Sequence, residues 1–471
     1  MLSCLSVFDN KNKIRKDIFW TVILLFLSFV KIGFCGDFSG LPDFTDRDRV
    51  LVLAPHPDDE AIGAGGVIQR ALKAGAPVKV VCFTNGDNNE LAFIVYEKRL
   101  TFKQKEFLHM GEVRRKETIA AMESLGLSPG RVFTLGYPDF GTMEILTKYW
   151  DKTRPFKSMF SRVKKVSYPS SLSYQAPFIG QSILTDLNTI LLDFRPTKIF
   201  VSHPADRNRD HQALYLFLHI ALWDLEGKIK QPQVYPYLIH VPGWPKPRGA
   251  HTELFITPPS KLKGIDWKQF LLTSNEAEAK RKAIMFYKSQ NVAAPSYLAT
   301  FARSNELFSD PDVIKLHTIK KDAKIDWQEV VAPEDIEEYG NAGAPKDKAE
   351  ELLTSLAYAL TEDDLCLRFN LKKKIDNNFG IKISLLGYSR KKDFAIMPKI
   401  AISINALGLR TQEKGRAFKI EGLRRVFEGK ALIIKIPRKS LGDPEKVLSC
   451  VKTRAKGLLL DETAWRIIEL K

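Results

Sequence analysis

A short apolar run that ends in a cluster of charged residues most constrains how this chain can fold. Residues 50–54 read Val-Leu-Val-Leu-Ala, and His56-Pro57-Asp58-Asp59-Glu60 follows almost at once. An apolar run of this length is typical of a buried strand. The next residues, 61–68, are small or apolar and suit a helix packed on that strand. The sequence therefore predicts strand, loop and helix, with an imidazole and three carboxylates in the loop.

The same alternation of strand and helix continues to about residue 202. Strands are predicted at 77–83, 131–135 and 197–202, and helices at 112–125 and 184–194. Such alternation is typical of a parallel sheet with helices on both faces, and ligands of these sheets bind at the carboxyl ends of the strands. We therefore expect the functional residues in the loops that follow the strands.

A second polar cluster follows the strand predicted at 197–202. Residues 203–211 read His-Pro-Ala-Asp-Arg-Asn-Arg-Asp-His. Adjacent carboxylates repel each other at the end of a buried strand, so a bound cation is the natural way to keep them ionised. Histidine and aspartate together suit zinc. The two clusters predict a site of two imidazoles and one carboxylate, with one position open for water.

These motifs resemble those of the LmbE or PIG-L family of zinc-dependent N-deacetylases, which remove acetyl groups from N-acetylglucosamine-type sugars. The resemblance rests first on Pro55-His56-Pro57-Asp58-Asp59-Glu60 and Asp206-x-x-x-Asp210-His211. Further segments match in family order: Thr84-Asn85-Gly86-Asp87, Arg114-x-x-Glu117, Leu135-Gly136-Tyr137-Pro138-Asp139, Lys282-Ala283-Ile284-x-x-Tyr287-x-Ser289-Gln290 and Phe301-x-Arg303-x-x-Glu306. The similarity extends roughly over residues 48–310.

The resemblance implies a role for each residue of the two clusters. His56, Asp59 and His211 would be the ligands of a Zn²⁺ ion, and Asp58 would be the general base. Zinc lowers the pKa of a bound water to ~7 and polarises an acetyl carbonyl, while a carboxylate accepts the proton as water attacks. Asp210, next to His211, would accept the second N–H of that imidazole or act electrostatically, because ligand imidazoles usually donate that N–H.

One position departs from the family pattern. Many members have histidine three residues before the last zinc ligand, where this chain has Asn208. An amide can donate a hydrogen bond to a developing oxyanion, but it cannot carry a proton. Either Asp58 then performs both proton transfers, or His203 or His240 reaches the substrate from another loop. The sequence leaves these alternatives open.

The resemblance also suggests residues that hold the sugar. Arg114 and Asp139 are candidates for binding sugar hydroxyls, since the family uses these positions in that way. The alternative is a helix-surface arginine and a turn aspartate. Gly63, Gly65 and Gly66 lack the spacing of a dinucleotide-binding loop, so close packing of strand and helix explains them instead.

The N-terminus has the pattern of a targeting segment. A basic cluster at residues 11–16 precedes an apolar run from 18 to 30. This order is typical of a signal peptide, and an extension to residue 34 would make a marginal membrane anchor. We expect residues 1–36 to be a signal peptide or N-terminal membrane anchor, and the protein to be exported: periplasmic, extracellular or membrane-anchored.

The C-terminal quarter has a different pattern of apolar and polar residues and carries most of the excess positive charge. The chain has a formal net charge of +17, and residues 351–471 hold 25 Lys and Arg against 14 Asp and Glu. Short segments of partial alternation predict an antiparallel β-sandwich there, after a polar linker at 316–350. The charge suits anionic cell-surface polymers or a membrane surface, or it is a solvated basic face. Nucleic-acid binding is not expected, because no aromatic residues interleave the cations on one face.

The sequence thus predicts an α/β protein. We expect a Rossmann-like, mostly parallel sheet with helices on both faces in a deacetylase domain at 45–315, and a β-sandwich at 351–471. The function expected is a zinc-dependent hydrolase that deacetylates an N-acetylated sugar or glycoconjugate outside the cytoplasm. The alternative is a non-catalytic envelope glycan-binding protein that retains the deacetylase fold.

Overall fold

The computed structural model describes residues 39–88, 96, 103–260, 262, 264–294, 296–310, 313–320, 325, 327–331, 353–372, 375, 379–455 and 458–471. Residues 40–471 form one compact unit. The targeting segment predicted at 1–36 lies outside the described residues, so export stays a prediction. None of the helices in the described ranges is both long and apolar enough to cross a membrane.

The first part of the chain alternates strands and helices as its sequence predicts. Its elements are β1 (Ser39–Gly40), β2 (Val50–Ala54), α1 (Asp59–Lys73), β3 (Val78–Thr84), α2 (Gln104–Ser124), β4 (Val132–Tyr137), α3 (Thr142–Lys148), α4 (Gly180–Phe194), β5 (Lys198–Ser202), α5 (Arg209–Asp224), β6 (Gln233–Tyr237), β7 (Trp267–Leu271), α6 (Ser274–Ile284), α7 (Lys288–Asn291) and β8 (Asn305–Ser309). Short 3₁₀ turns lie at Pro129–Arg131 and Leu298–Phe301.

The strands build a mixed sheet whose centre is parallel. The order β7-β8-β6-β5-β2-β3-β4 runs across the sheet. Strands β6, β5, β2, β3 and β4 pair in parallel, whereas β8 pairs antiparallel with β6 and β7. Strand order reverses beside β2, where β5 lies on one side and β3 on the other, and the carboxyl ends of β2 and β5 carry the two polar clusters. Ligands of open α/β sheets bind at such a reversal.

Helices cover both faces of this sheet. Helices α1, α2 and α6 contact one another on one face, and α3, α4 and α5 do so on the other. Leu51 and Leu53 of β2 belong to the apolar cluster that includes α4 and α5. Val52, which points to the opposite face because side chains alternate along a strand, is also fully buried. The predicted α/β fold is confirmed.

Helix α1 is interrupted near its middle, and a buried ion pair stabilises the break. Ala64 has non-helical backbone angles (φ −143°, ψ 19°). The carboxylate of Glu306 accepts the backbone N–H groups of Gly66 at 2.7 Å and Val67 at 3.0 Å. Lys280 neutralises Glu306 at 2.6 Å. The last glutamate of the motif at 301–306 therefore supports the helix that follows the first polar cluster.

The C-terminal part consists of two sheets. Its strands are β9 (Val313–Leu316), β10 (Thr318–Ile319), β11 (Gln328–Val331), β12 (Leu353–Thr361), β13 (Asp364–Leu371), β14 (Phe379–Tyr388), β15 (Lys399–Asn405), β16 (Gly408–Glu413), β17 (Arg416–Ala417), β18 (Arg424–Glu428), β19 (Ala431–Pro437), β20 (Lys446–Ala455), β21 (Leu458–Glu462) and β22 (Arg466–Leu470), with a 3₁₀ turn at Arg438–Leu441. One sheet has the order β10-β12-β13-β19-β18, with β11 on β12. The other has the order β17-β16-β15-β14-β20-β22-β9, with β21 on β20.

The two C-terminal sheets share one apolar core, to which Leu367 of one sheet and Ile383 of the other belong. Most strand pairs are antiparallel, but β9 pairs in parallel with β22 and β10 with β12. The segment predicted as a linker, 316–350, thus contributes strands to these sheets, while its residues 332–350 lie outside the described part. The proposed domain boundaries stay a prediction.

The C-terminal sheets also pack directly on the first part of the chain. Tyr388, Phe394 and Trp465 belong to the same buried apolar cluster as helices α4 and α5. The Tyr388 hydroxyl donates to Asp224 at the end of α5 at 3.0 Å. Helix α5, which carries one of the predicted ligands, is therefore buried between the parallel sheet and a C-terminal sheet.

Candidate active site

Three predicted ligand atoms meet where β2 and β5 end. Asp59 Oδ2 lies 3.1 Å from His56 Nδ1 and 3.0 Å from His211 Nε2. The two ring nitrogens lie 3.3 Å apart. His56 and Asp59 belong to the loop and first turn after β2, and His211 lies in the first turn of α5. All three side chains are buried.

This triangle fits zinc. Ligands at the zinc–nitrogen and zinc–oxygen bond lengths of ~2.0–2.1 Å in a tetrahedral site lie about 3.3 Å from one another. The three observed separations, 3.0–3.3 Å, match one face of such a tetrahedron. Two imidazole nitrogens and one carboxylate oxygen form the donor set of a catalytic zinc site, which keeps its fourth position open. The three atoms also form one of the groupings able to hold a metal ion among the described residues.

The second nitrogen of His56 contacts two other carboxylates. Nε2 lies 3.1 Å from Asp139 Oδ1 and 3.4 Å from Asp210 Oδ2. Burial works to lower the pKa of His56, but these carboxylates raise that pKa well above its ordinary value. A carboxylate behind a ligand imidazole fixes the orientation of the ring and increases the basicity of its other nitrogen. Asp139 lies behind a metal-facing imidazole, and its predicted contact with sugar hydroxyls stays a prediction.

Asp206 serves the same purpose for His211. Its Oδ2 lies 3.1 Å from His211 Nδ1. The same oxygen accepts the backbone N–H groups of Ile239 at 3.0 Å and His240 at 2.9 Å. Burial works to lower the pKa of His211, and the carboxylates of Asp206 and Asp59 raise this pKa to about 9. The loop after β6 is thereby tied to the metal-facing histidine.

The sequence predicts that Asp210 either accepts the second N–H of His211 or acts electrostatically. The structure gives the first role to Asp206, whereas Asp210 Oδ2 lies 3.4 Å from His56 Nε2, where it can act electrostatically. Its carboxylate accepts the backbone N–H of Phe140 at 2.6 Å and that of Thr142 at 3.0 Å, together with the Thr142 hydroxyl. The two residues differ because side chains on successive helix positions point about 100° apart. Asp210 turns toward the loop after β4 and toward His56, whereas His211 turns toward Asp206.

Asp58 occupies a strained backbone position beside the metal-facing atoms. Its φ is 115°, a left-handed conformation that residues with a Cβ rarely adopt. Burial raises the pKa of Asp58 well above its ordinary value, against the opposing effect of Arg114. A carboxylate with a raised pKa is suited to accept and return a proton near neutral pH. Strain at such a site is consistent with a functional side chain that the surrounding structure holds in place.

Arg114 holds this loop. Its guanidinium donates to the carbonyl of Pro57 at 2.7 Å, to the carbonyl of Gly86 at 2.9 Å and to Asp58 Oδ2 at 3.2 Å. Gly86 is needed here, because a Cβ at that residue would lie 1.8 Å from Arg114 Nη1. Arg114 lines the adjacent cavity but is only 3% exposed. Its predicted grip on the sugar stays a prediction, and its observed contacts position Asp58.

Glu60, the last residue of the first cluster, is an internal support. Its carboxylate accepts the backbone N–H of Asp58 at 3.1 Å and the hydroxyl of Tyr287. Burial raises the pKa of Glu60 to about 7. In the same way, Glu117 accepts both the backbone N–H and the hydroxyl of Ser289. The motif at 282–290 therefore braces the two segments that carry Asp58 and Arg114.

A cavity of about 230 Å³ is lined by two corners of the triangle, His56 and Asp59, and by Asp58. His240 enters it from the loop after β6, with its ring 4.7 Å from that of His211 and its Nδ1 3.1 Å from the Tyr297 hydroxyl. Burial lowers the pKa of His240 to about 4. His240 is one of the residues expected to take over the role of the histidine that is absent at position 208, and its place in the cavity wall lets it contact a ligand.

Asn208 also lines the cavity, at the start of α5. Its Oδ1 accepts the backbone N–H of Asp210 at 2.9 Å and so caps the helix. The Nδ2 amide is the part of the side chain left to donate to a ligand.

His203 does not line this cavity, so the expectation that it reaches the substrate is wrong. Its ring stacks on Trp267 with a centroid distance of 5.5 Å, and its Nδ1 accepts the backbone N–H of Ala205 at 2.9 Å. Burial lowers the pKa of His203 to about 3, which keeps the imidazole neutral. The residue shapes the loop after β5.

Three residues of the site were not singled out from the sequence. Asp206 is the first position of the second motif, but the motif alone does not indicate its contact with His211. Phe140 lies at the rim of the cavity, where its side chain is 59% exposed and its backbone is left-handed, with φ 56°. Exposing a phenylalanine ring to water costs free energy, so this position is unusual. Tyr297 lies beside His240 in the cavity wall. An exposed aromatic ring at the mouth of a polar cavity suits stacking on a sugar ring, but no sequence pattern marks it.

Comparison with known sequences gives a class for this fold and site. The PIG-L family model, described as GlcNAc-PI de-N-acetylase, matches residues 51–222. The chain is 37% identical over 110 residues to 1D-myo-inositol 2-acetamido-2-deoxy-alpha-D-glucopyranoside deacetylase of Kineococcus radiotolerans, which is 22% of this chain and 29% of that protein. It is 36% identical over 92 residues to "Probable N-acetyl-alpha-D-glucosaminyl L-malate deacetylase 2" of Bacillus cereus, 19% of this chain and 37% of that protein. The chain thus spans only about a third of the length of these curated relatives.

Solved structures with a similar chain path include N,N'-diacetylchitobiose deacetylase of Pyrococcus horikoshii, at 18% identity and a TM-score of 0.31, with 52% of this chain and 70% of that chain covered. A conserved protein of Thermus thermophilus is similar at 21% identity and a TM-score of 0.34, with 54% and 84% covered. The α/β fold with a His–Asp–His triangle at its strand ends, together with the sequence match, defines the class. Residues 51–222 match the PIG-L, or LmbE-like, family model, which confirms the resemblance predicted from the motifs.

Proposed function

We propose that this protein is a zinc-dependent hydrolase that removes the acetyl group from an N-acetylglucosamine-type sugar or glycoconjugate. The observation that carries the proposal is the triangle of His56, Asp59 and His211, two corners of which, His56 and Asp59, line the same cavity as Asp58. The relatives named above are deacetylases of N-acetylated sugars, which supports the substrate class. A bound zinc ion would lower the pKa of a water and polarise the acetyl carbonyl.

The chain's own residues supply the proton transfers. Asp58 accepts a proton from the attacking water and returns it to the amine nitrogen as the C–N bond breaks, so acetate and a free amino sugar result. Its raised pKa suits both steps. Arg114 holds Asp58 in place through the Pro57 and Gly86 carbonyls.

Two donors are available for the charge that develops on the carbonyl oxygen. His240 and the Nδ2 amide of Asn208 both belong to the cavity wall. A donor aimed at a developing oxyanion contributes electrostatic stabilisation without any need to transfer a proton. We therefore assign both proton transfers to Asp58 and oxyanion contacts to His240 and Asn208.

The presence of Asn208 where many family members have histidine also favours a second function. A chain that keeps the deacetylase fold but lacks the family histidine could bind an envelope glycan without turnover. The same ligands and cavity would serve it, so only catalysis separates the two functions.

The test is acetate release by wild type and by Asp58→Asn. The amide keeps the shape of the side chain but cannot act as a base, so we expect a fall in kcat of about 10²–10⁴-fold. The metal content and the thermal transition should stay as in wild type. Activity in the variant within a few-fold of wild type would remove Asp58 from the mechanism, and no acetate release from wild type on any N-acetylated glycan would favour the binding function.

We also propose that the enzyme acts outside the cytoplasm. The basic cluster at 11–16 and the apolar run at 18–30 support this. Cell fractionation, with a chain lacking residues 1–36 as the control, tests it: export of the full chain alone is expected, and cytoplasmic retention of both would overturn it.

A further inference from the structure

A second cavity adjoins the catalytic one. It measures about 530 Å³ and lies between helices α3 and α5 and the C-terminal strands β14, β15, β16 and β20. We call this cavity the basic trough, because six of its lining side chains are cations and one, Glu144, is an anion. The cations are Lys148, Arg209, Lys382, Lys399, Lys452 and Arg454.

The cations come from distant parts of the chain and lie close together. Lys382 on β14 and Lys452 on β20 are directly opposite each other across the strand pair. Arg454 lies two residues beyond Lys452 and therefore on the same face of the strand. Like charges directly opposite in a strand pair are destabilising. Glu462, which lies opposite Lys452 on its other side, offsets part of this cost, and an anionic ligand would offset more of it.

Internal partners neutralise only part of this charge. Lys452 pairs with Glu462, and Lys148 pairs with Glu144 at 2.5 Å. Lys399 donates to the carbonyls of Phe394 and Met397 and is buried. Burial, and then the neighbouring cations, lower the pKa of Lys382; these cations are Lys148, Lys452, Arg454 and Arg209. Basic side chains nevertheless outnumber the single acidic one in the lining of the trough.

The basic trough borders the catalytic cavity. Phe140 lines both. Asn208 lines the catalytic cavity and its neighbour Arg209 lines the trough. At the far end, Lys148 is shared with a third cavity, of about 530 Å³, whose wall includes Arg154 and Arg416. The three cavities therefore lie next to one another along one side of the molecule, bordered by Phe140 and Lys148.

We propose that the basic trough binds the acidic groups of an anionic glycan chain while one N-acetylated sugar of that chain occupies the catalytic cavity. The proposal rests on the proposed function for the reacting sugar and adds the class of the rest of the substrate. Carboxylate and phosphate groups share the chemistry required, so a uronate-containing or a phosphate-linked glycan fits. Exposed charges contribute mainly to specificity and association, and added salt screens them.

The test measures binding without turnover, in the Asp58→Asn background. The probes are fluorescent tetramers of equal length: alternating N-acetylglucosamine and glucuronate, phosphate-linked N-acetylglucosamine, and neutral N-acetylglucosamine. We expect at least one anionic tetramer to bind about tenfold more tightly than the neutral one at low salt. The difference should be lost in 0.5 M salt, because the Debye length, ~10 Å at 0.1 M, is shorter still at that concentration. Equal affinity for all three tetramers would overturn the proposal.

Charge reversal locates the effect. Lys382→Glu with Arg454→Glu should remove the preference for the anionic tetramer, because two trough cations become anions. Lys430→Glu with Lys439→Glu is the matched control, since both lysines are exposed and outside the trough. The control should keep the preference, and an equal loss in both variants would overturn the assignment to the trough.

Two further measurements separate the proposal from its rivals. With Asp58 restored, the Lys430→Glu/Lys439→Glu control should deacetylate the anionic and the neutral tetramer as wild type does, whereas Lys382→Glu/Arg454→Glu should lose the preference for the anionic tetramer in kcat/KM. If wild type releases no acetate but still prefers the anionic tetramer, the proposed function fails and the trough stands. Sedimentation with phosphatidylglycerol vesicles tests a membrane surface as the ligand of the trough. The anionic tetramer should keep the protein from sedimenting with the vesicles. Vesicle binding that the tetramer does not displace would overturn the proposal that the trough binds a glycan and would favour a membrane surface.

Discussion

The two metal-facing histidines each divide their nitrogens between a metal position and a carboxylate. His56 directs Nδ1 to the triangle and Nε2 to Asp139, and His211 directs Nε2 to the triangle and Nδ1 to Asp206. Such partners fix the tautomer and orientation of a ligand imidazole. The affinity of the site for metal therefore depends on residues that do not touch the metal.

Replacing Asp206 with asparagine tests this dependence. The amide keeps the volume but loses the charge beside His211, so we expect zinc affinity to fall about 10–100-fold. Competition with a chelator of known affinity measures it. Asp224→Asn, at the other end of the same helix, is the control and should bind zinc as wild type does. Unchanged affinity in Asp206→Asn would show that the carboxylate does not serve the metal site.

The sequence predicts which residues meet here better than which way they turn. His56, Asp59 and His211 follow strands of one parallel sheet, so the topology brings them together. His203 follows the same strand as His211, but it packs on Trp267 of β7, a strand far away in the chain. The choice between Asp206 and Asp210 likewise depends on the angle at which α5 begins. Long-range packing sets both, and no local pattern encodes it.

At the scale of elements, the glycines of α1 set how closely the helix approaches the sheet. A Cβ at Gly63 would lie 2.6 Å from the ring of Tyr237. That ring is fixed, because the Tyr237 hydroxyl donates to the carbonyl of Leu53 at 2.8 Å. A Cβ at Gly65 would approach its neighbours less closely, lying 3.2 Å from Lys280 Cγ and 3.8 Å from Leu125 Cδ1. The prediction that close strand–helix packing explains these glycines agrees with these distances.

Alanine substitutions at the two positions should therefore differ. Gly63→Ala should lower the apparent free energy of unfolding by about 1–3 kcal/mol, the usual cost of overpacking. Gly65→Ala is the matched control, and it should change stability by less than about 1 kcal/mol, since alanine also favours the helix. Urea unfolding of both variants measures the difference. Equal stabilities would show that the helix can move away from Tyr237.

Strands β2, β3, β4 and β5 of the parallel centre could be read from the sequence, because each is mostly apolar, whereas β6, which contains Pro236, is not among the predicted strands. The antiparallel strands β7 and β8 could not. Trp267–Leu271 mixes polar and apolar residues, and its partner Asn305–Ser309 carries a buried glutamate that supports α1. These strands are defined by their contacts with the rest of the molecule, not by their own pattern.

At the scale of the whole molecule, the C-terminal sheets are part of the support of the active site. Trp465 belongs to the same apolar cluster as α5, and its indole donates to Gln212, the residue after His211, at 3.3 Å. The pattern of apolar residues distinguishes the α/β part of the chain from the C-terminal sheets, but it does not indicate that the two share a core. That sharing depends on apolar residues scattered over distant strands.

A fragment of residues 40–320 should consequently fail to fold on its own. It would expose the face of α4 and α5 that Tyr388, Phe394 and Trp465 cover, and truncating one buried Phe or Trp side chain to alanine already costs about 3–5 kcal/mol. Size-exclusion chromatography and thermal unfolding of the fragment, with residues 40–471 as the control, check this. A monomeric fragment with a cooperative transition and full acetate release would contradict the prediction.

Metal content measured together with activity tests the central claim most directly. We expect the purified chain to bind one zinc ion, to lose acetate release when a chelator removes the metal and to regain it when zinc is returned. His211→Ala, which removes one corner of the triangle, should bind no zinc and release no acetate. A wild-type chain that takes up no metal, or that releases acetate at the full rate after its metal has been removed, would contradict the account.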